Sequence, residues 1–128
     1  MLNLIKKLLP LNRSLMGKGN LQTLKILKEY NNNLKIKYFK SGEKIFDWKI
    51  PNEWKIKDSY ILTPNNKKIC DLKANNLHVM GYSRKIKKSL SLKDLQKNLF
   101  SLKHSPNAIP YITSYYKKDW GFCLKHSD

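Results

Sequence analysis

Apolar residues follow a helical period over the first 30 positions of the chain. A first short helix, ended by Pro10, is predicted by one apolar face made of Leu4, Ile5, Leu8 and Leu9. A second helix, ending at Tyr30, is predicted by the same spacing of Leu21, Leu24 and Leu27. Gly17 and Gly19 separate the two helices, and we expect Asn20 to be the N-cap of the second. The chain therefore begins with a helical pair.

From Leu34 onward the apolar period changes to two, which predicts β-strands. The strand candidates lie at 34–38, 46–50, 60–62, 69–72, 77–82, 111–116 and 120–125. Ser41 and Gly42 indicate a turn between the first two candidates, and the residues at 63–66 indicate a hairpin turn between the next two. The last two are predicted to form a C-terminal hairpin.

One further helix is predicted inside the β-rich region. Ser91 followed by Asp94 is typical of a capped helix start, and one apolar stripe follows it at Leu92, Leu95, Leu99 and Leu102. The predicted fold class is α+β: an N-terminal helical pair, then a mostly antiparallel β-rich domain with one helix and a C-terminal hairpin.

The chain is strongly basic, with a formal net charge of +17. Such an excess favours a polyanionic partner. However, 24 of the 26 basic residues are Lys. Only Arg13 and Arg84 carry the planar guanidinium that binds phosphates and guanine edges in a bidentate way. We interpret most of the charge as compositional drift on a solvated surface, and keep a small nucleic-acid or polyanion-binding module as the alternative function.

Neither a membrane span nor a secretory signal is predicted. No stretch reaches the roughly 18 consecutive apolar residues of a transmembrane helix. The first segment has Lys6 and Lys7 inside its apolar stretch and no apolar region before a cleavage site. We expect a cytoplasmic location, with Cys70 and Cys123 as reduced, buried thiols, because two cysteines are too few for a disulfide framework.

The tripeptide Gly17-Lys18-Gly19 before a helix is similar to a phosphate-binding loop, because backbone N–H groups at a helix N-terminus attract anions. The P-loop pattern also needs an earlier glycine, a Ser or Thr after the lysine, and a preceding strand. None of these is present in the sequence. We interpret the tripeptide as a flexible turn between two helices.

Cys123 and His126 have the spacing of half a zinc site. A structural zinc site takes four ligands, and the other candidates, Cys70, His78 and His104, are not paired in the sequence. A cysteine nucleophile with His78 or His104 as its base has no supporting pattern either. We predict no catalytic, cofactor-binding or metal-binding residue in these 128 positions.

Two further groups of residues each allow more than one interpretation. The densest basic cluster is Arg84, Lys85, Lys87 and Lys88, which we interpret as a solvated loop because aromatic residues do not alternate with it. Aromatic residues concentrate in the β-rich portion, at Phe46, Trp48, Trp54, Tyr60, Tyr111, Tyr115, Tyr116, Trp120 and Phe122. They build either a compact core, which we favour, or a wall that faces carbohydrate or peptide.

Four segments carry a resemblance to a known family. In chain order they are RSLMGKGNLQTLKIL (13–27), SGEKIFDWKIPNEWKIKDSYI (41–61), NNLHVMGYS (75–83) and PNAIPYITSYYKKDWGFCL (106–124). They resemble the N-terminal part of a bacterial family of aminopeptidase-like proteins. The family combines a zinc-peptidase fold with an inserted β-rich domain of unknown function.

The resemblance implies a division into three parts: opening helices of a peptidase-like domain at 1–32, the inserted β-rich domain at 33–110, and strands returning to the peptidase-like domain at 111–128. It also implies that zinc ligands occur only in the full-length protein, beginning in a Cys-His-Pro-Ser segment that this chain lacks. The chain alone is then expected to be non-catalytic. Its expected partner is the missing C-terminal part of the peptidase domain, with no specific nucleic acid and no membrane.

Overall fold

The structure, a computed structural model, describes residues 1–128, which form two compact units, unit 1 (Met1–Lys55) and unit 2 (Ile56–Asp128). Unit 1 contains α1 (Leu2–Leu8), α2 (Lys18–Tyr30), β1 (Lys44–Ile45) and β2 (Trp48–Lys49). Unit 2 contains β3 (Ile61–Leu62), β4 (Lys68–Ile69), α3 (Leu92–Leu95), β5 (Leu99–Phe100) and β6 (Phe122–Cys123), with short 3₁₀ turns at Asn76–His78 and Gln96–Asn98. The predicted boundaries at 32/33 and 110/111 concern domains of a longer protein and stay a prediction.

The helical pair predicted at the start of the chain is confirmed. The N-cap of α2 is Gly17, at φ 147, so the predicted N-cap Asn20 is wrong. Asn20 lies in the first turn of α2, where its side-chain amide donates to the carbonyl oxygens of Ser14 and Leu15. It therefore stabilises the segment before the helix instead of the helix end. Neither α1 nor α2 contains a buried residue.

The only hairpin of unit 1 is β1–β2, in which Ile45 pairs with Trp48. Phe46 lies in its tight turn, at φ 54, although the alternating pattern places it in a strand. The segment 34–38, predicted as the partner strand, forms no strand. Its apolar residues alternate with lysines as a strand requires, but a strand exists only where a neighbour supplies the hydrogen bonds.

The first hairpin of unit 2 agrees with the prediction. Ile61 pairs with Ile69 and Leu62 with Lys68 in antiparallel register, and the turn lies at 63–66. Asn66 adopts the left-handed conformation, φ 59, which asparagine tolerates better than most residues. The turn chemistry and the alternating pattern therefore identified this hairpin together.

The C-terminal segments bond to a third segment that lies between them. Val79 forms an antiparallel bridge with Phe122, and Gly81 forms a parallel bridge with Thr113. On its other side, Phe122 pairs with Leu99 as part of the parallel pair β5–β6. The predicted hairpin between 111–116 and 120–125 does not form as a direct pair, because 79–81 lies between the two segments and the local order is β5, β6, 79–81, 112–113.

The helix start predicted at Ser91 is confirmed, but the helix is shorter than its leucine stripe. The Ser91 hydroxyl accepts from the backbone N–H of Asp94 at 3.2 Å and donates to the Asp94 carboxylate at 2.8 Å. α3 ends at Leu95, and the chain becomes strand β5 by Leu99. The Asn98 side chain donates to the carbonyl oxygen of Trp120 at 2.7 Å, which fixes the chain where it enters the sheet. Tertiary pairing therefore overrides the local period.

The core of unit 2 forms around Cys70, Trp120 and Phe122. Partly buried apolar residues pack against this cluster, namely Ile61, Ile86, Leu95, Leu99 and Leu124. The predicted α+β class is confirmed, because the chain combines helices with short strand pairs that are mostly antiparallel. None of the helices combines the length and the apolar character that crossing a bilayer requires.

Candidate functional site

The two cysteines are buried thiols, as predicted. Cys123 has no exposed surface, and Cys70 is also buried and unpaired by any disulfide. Burial raises the pKa of both thiols from 9.0 to about 11, and for Cys123 a backbone hydrogen bond from Ile112 opposes part of that rise. Because the thiolate is the nucleophile and the metal ligand, neither side chain is activated near neutral pH.

His78 lies beside Cys123 but contacts its backbone. The imidazole Nδ1 donates to the carbonyl oxygen of Cys123 at 2.8 Å. That contact holds one ring nitrogen protonated and leaves the cysteine sulfur without a base. The cysteine–histidine pair considered from the sequence is therefore brought together in space, but in a structural arrangement.

Cys123 and His126, whose spacing is that of half a zinc site, are not joined by further ligands into a metal centre. His126 instead shares a 2.8 Å hydrogen bond between its Nδ1 and the hydroxyl of Ser101. His104 is exposed, and no group of three or more His, Cys, Asp or Glu side chains is arranged to hold a metal ion. A zinc ion needs three or four such ligands, so the residues of this chain do not fit one.

The Ser101–His126 pair is a hydroxyl–imidazole contact that sequence analysis missed. The two residues are 25 positions apart, and no local spacing connects them. Both are exposed to solvent. An activated serine needs a base oriented by a third group and donors for the developing oxyanion, and water competes for every contact at this exposed position. The pair is therefore a surface hydrogen bond.

In the tripeptide Gly17-Lys18-Gly19 only Gly17 precedes the helix, as its N-cap, and Lys18 and Gly19 belong to the first turn of α2, so the predicted flexible turn between two helices is wrong for these two residues. A Cβ atom at Gly19 would lie 2.0 Å from the carbonyl oxygen of Asn12, so only glycine fits there. The backbone around Gly19 is occupied by the chain itself. The tripeptide thus allows the close approach of α2 to the preceding segment and leaves no cradle for a phosphate.

The basic cluster at 84–88 is exposed at its four cationic residues. Its backbone is held to the sheet region by a 2.8 Å hydrogen bond from Arg84 N–H to the carbonyl oxygen of Asp119. The ammonium of Lys88 lies 5.8 Å from the ring centre of Trp120, which is buried and therefore does not offer a stacking face. These contacts are those of a solvated loop packed on a core.

Three tyrosines of unit 2 form a cluster, Tyr82, Tyr111 and Tyr115, called here the tyrosine cluster. The rings of Tyr82 and Tyr115 meet edge to face with 5.1 Å between their centres. The hydroxyls of Tyr111 and Tyr115 are 3.4 Å apart. Partial burial and that hydrogen bond raise the pKa of Tyr111 to about 12, so its hydroxyl keeps its proton at neutral pH.

The backbone under the tyrosine cluster is held by the buried side chain of Ser114. Its hydroxyl lies 3.4 Å from the carbonyl oxygens of both Gly81 and Tyr82. Tyr82 itself has φ 63, which is rare for a bulky residue. From the sequence, Tyr111 and Tyr115 belong to nine aromatics for which a compact core is favoured, and this is wrong for Tyr111, which is exposed. Nothing in the local sequence indicated Tyr82 or Ser114.

Comparisons with known proteins give consistent similarities. Residues 53–128 match the family model described as "Domain of unknown function (DUF2172)". The chain is 44% identical over 122 residues to a protein of Clostridium acetobutylicum named "Putative polysaccharide biosynthesis protein with aminopeptidase-like domain". That alignment covers 95% of this chain and 28% of the relative.

A crystal structure described as a "putative peptidase" from Clostridium acetobutylicum is similar to this fold. The TM-score is 0.91 at 43% sequence identity, and the match covers 98% of this chain and 29% of that one. The chain therefore spans somewhat over a quarter of the length of the relatives it matches.

Proposed function

The chain belongs to the DUF2172 family, and from this premise we propose that it is the N-terminal part of a longer aminopeptidase-like protein whose catalytic metal centre lies outside these 128 residues. The observation that carries the proposal is the 44% identity over nearly the whole chain to a relative with an aminopeptidase-like domain, of which it covers 28%. In this proposal the metal ligands and the catalytic groups are supplied by the remainder of the longer protein.

The proposal is tested by comparing two purified proteins, the 128-residue chain and the longer Clostridium relative. Bound zinc is measured by mass spectrometry, and amide hydrolysis is measured with aminoacyl p-nitroanilides. We expect zinc and hydrolysis in the relative and neither in the chain. Stoichiometric zinc with amide cleavage by the chain alone would overturn its non-catalytic role. A relative that lacked both would overturn the peptidase assignment.

The name of the same relative refers to polysaccharide biosynthesis. We extend this to the longer protein as a separate proposal, supported by the extent of the sequence match. Deleting the relative's gene in Clostridium should lower the amount of cell-associated polysaccharide, and complementation should restore it. Unchanged amount and composition would contradict this second proposal without affecting the first.

The alternative of a nucleic-acid or polyanion-binding module gains no support from the comparisons. Its distinguishing measurement is the affinity for double-stranded DNA as a function of salt. A specific phosphate-binding surface gives a steep negative slope of log affinity against log salt, whereas a solvated basic surface binds weakly throughout. We expect weak binding, because the cluster at 84–88 contains one arginine and no exposed stacking ring.

A further inference from the structure

The tyrosine cluster has no role in the proposed peptidase function, yet its three side chains contact one another through a ring pair and a hydroxyl pair. Tyr111 is 60% exposed, while Tyr82 and Tyr115 are half-buried and hold each other edge to face. A rigid aromatic surface in contact with water loses little side-chain entropy when a ligand covers it.

Its chemistry is that of a surface that is apolar on the ring faces and polar at the rim. The rings offer apolar area, and the hydroxyls of Tyr111 and Tyr115, 3.4 Å apart, offer adjacent donors and acceptors. A pyranose ring has the complementary pattern, with C–H groups on its faces and hydroxyls around its edge. The cluster offers phenol rings and hydroxyls and contains no carboxylate, ammonium or guanidinium group, so the ligand that matches it is neutral.

The backbone beneath the cluster is held in a conformation that the sequence does not favour by itself. Tyr82 at φ 63 is kept in place by the buried hydroxyl of Ser114 and by the bridge between Gly81 and Thr113. Backbone strain of this kind persists only where the surroundings enforce it, frequently at ligand sites.

The geometry points to a binding site for a neutral oligosaccharide on the tyrosine cluster, with Tyr111 as the exposed stacking ring and the Tyr111 and Tyr115 hydroxyls as hydrogen-bonding groups. The choice of a saccharide rests in part on the proposed link to polysaccharide biosynthesis. The site itself rests on the contacts of this chain, so aminopeptidase activity in the longer protein neither supports nor contradicts it.

The test is a titration of the isotope-labelled 128-residue chain with maltohexaose, cellohexaose and chitohexaose, followed by two-dimensional NMR. We expect shifts confined to residues around 82 and 111–115 for at least one probe, with a Kd on the order of 1 mM. Tyr111→Ala should weaken that binding about tenfold, and Tyr111→Phe, which keeps the ring, about twofold to threefold.

Tyr38→Ala is the matched control, because Tyr38 is 75% exposed and lies in unit 1. It should leave the saccharide titration unchanged, and the spectra of all variants report whether they are folded. Absence of shifts with every probe up to about 10 mM would overturn the site. Equal loss in Tyr38→Ala and Tyr111→Ala would also overturn it, as would shifts at the cluster that grow with protein concentration alone and identify a self-association surface.

Discussion

The imidazole of His78 is hydrogen-bonded to the backbone of Cys123, with 2.8 Å between Nδ1 and the carbonyl oxygen. This bond joins the 3₁₀ turn Asn76–His78 to strand β6 across 45 positions of sequence. The adjacent bridge between Val79 and Phe122 continues the same contact through the backbone. His78 is therefore a structural residue that helps to close unit 2.

Replacing His78 by alanine should lower the free energy of unfolding by about 1–2 kcal/mol, because a partly buried carbonyl oxygen loses its donor. The measurement is urea unfolding followed by tryptophan fluorescence. His104→Ala is the control, since His104 is exposed. Equal stability of the two variants would show that the His78 contact has no energetic value.

The buried thiols should be unreactive in the native state. Cys123 has no exposed surface and Cys70 is buried, and both keep their protons well above neutral pH. We expect Ellman's reagent to titrate no thiol at pH 8 in buffer and two thiols in concentrated urea. Rapid reaction of one thiol in buffer would contradict the burial of that cysteine.

The raised pKa values of the Cys70 and Cys123 thiols predict that the stability of the protein depends on pH. Their pKa rises from 9.0 to about 11 on folding, so between these values the unfolded chain has lost protons that the folded chain still binds. The contribution of the two protonated thiols to the free energy of unfolding is therefore fully present below about pH 9, and it is lost as the pH rises toward 11.

Urea unfolding at a series of pH values from 8 to 11 measures this dependence. The double variant Cys70→Ala/Cys123→Ala should be less stable overall but should show a flatter profile in that range. A profile as steep as that of the unchanged chain would assign the pH dependence to other groups.

Gly121 is packed too closely for any side chain. A Cβ atom there would lie 2.4 Å from the ring of Phe100 and 3.0 Å from the carbonyl oxygen of Asn98. Gly121→Ala should destabilise unit 2 by about 2 kcal/mol through this overlap. Gly81→Ala is the comparison, because its Cβ would meet Thr113 at an ordinary 3.4 Å. A larger loss at Gly81 than at Gly121 would contradict the packing described.

The capping hydrogen bond of Ser91 should make a measurable contribution to the stability of the protein. Its hydroxyl accepts from the Asp94 N–H, so Ser91→Ala should cost about 1 kcal/mol of stability. Ser89→Ala, an exposed change two residues before the cap, should cost almost nothing. Thermal unfolding monitored by circular dichroism compares the two variants, and similar melting temperatures would argue against the cap.

Local chemistry in the sequence was enough for the elements that depend on nearby residues. The helices α1 and α2, the capped start at Ser91 and the hairpin β3–β4 follow from spacing, capping and turn residues. The early end of α3 at Leu95 does not, because Leu99 and Phe100 form a parallel pair with Phe122 and Cys123, which local patterns cannot register.

For the candidate functional residues too, the sequence predicts local features and misses contacts between distant positions. The sequence identified the buried cysteines, but it placed Lys18 and Gly19 in a turn although they begin helix α2. It missed the contact of Ser101 with His126 and the support of Tyr82 by Ser114, which join residues 25 and 32 positions apart. Only folding brings such residues together.

The pairing of β6 with both β5 and Val79 also constrains how the protein is made on the ribosome. Phe122 completes the cluster with Cys70 and Trp120, so the nascent chain cannot assemble this nucleus until position 122 has left the exit tunnel. Until then its apolar segments stay open to chaperones and to aggregation, and the high sequence separation of these contacts slows their formation. Co-translational folding of unit 2 therefore waits until strand β6 has emerged.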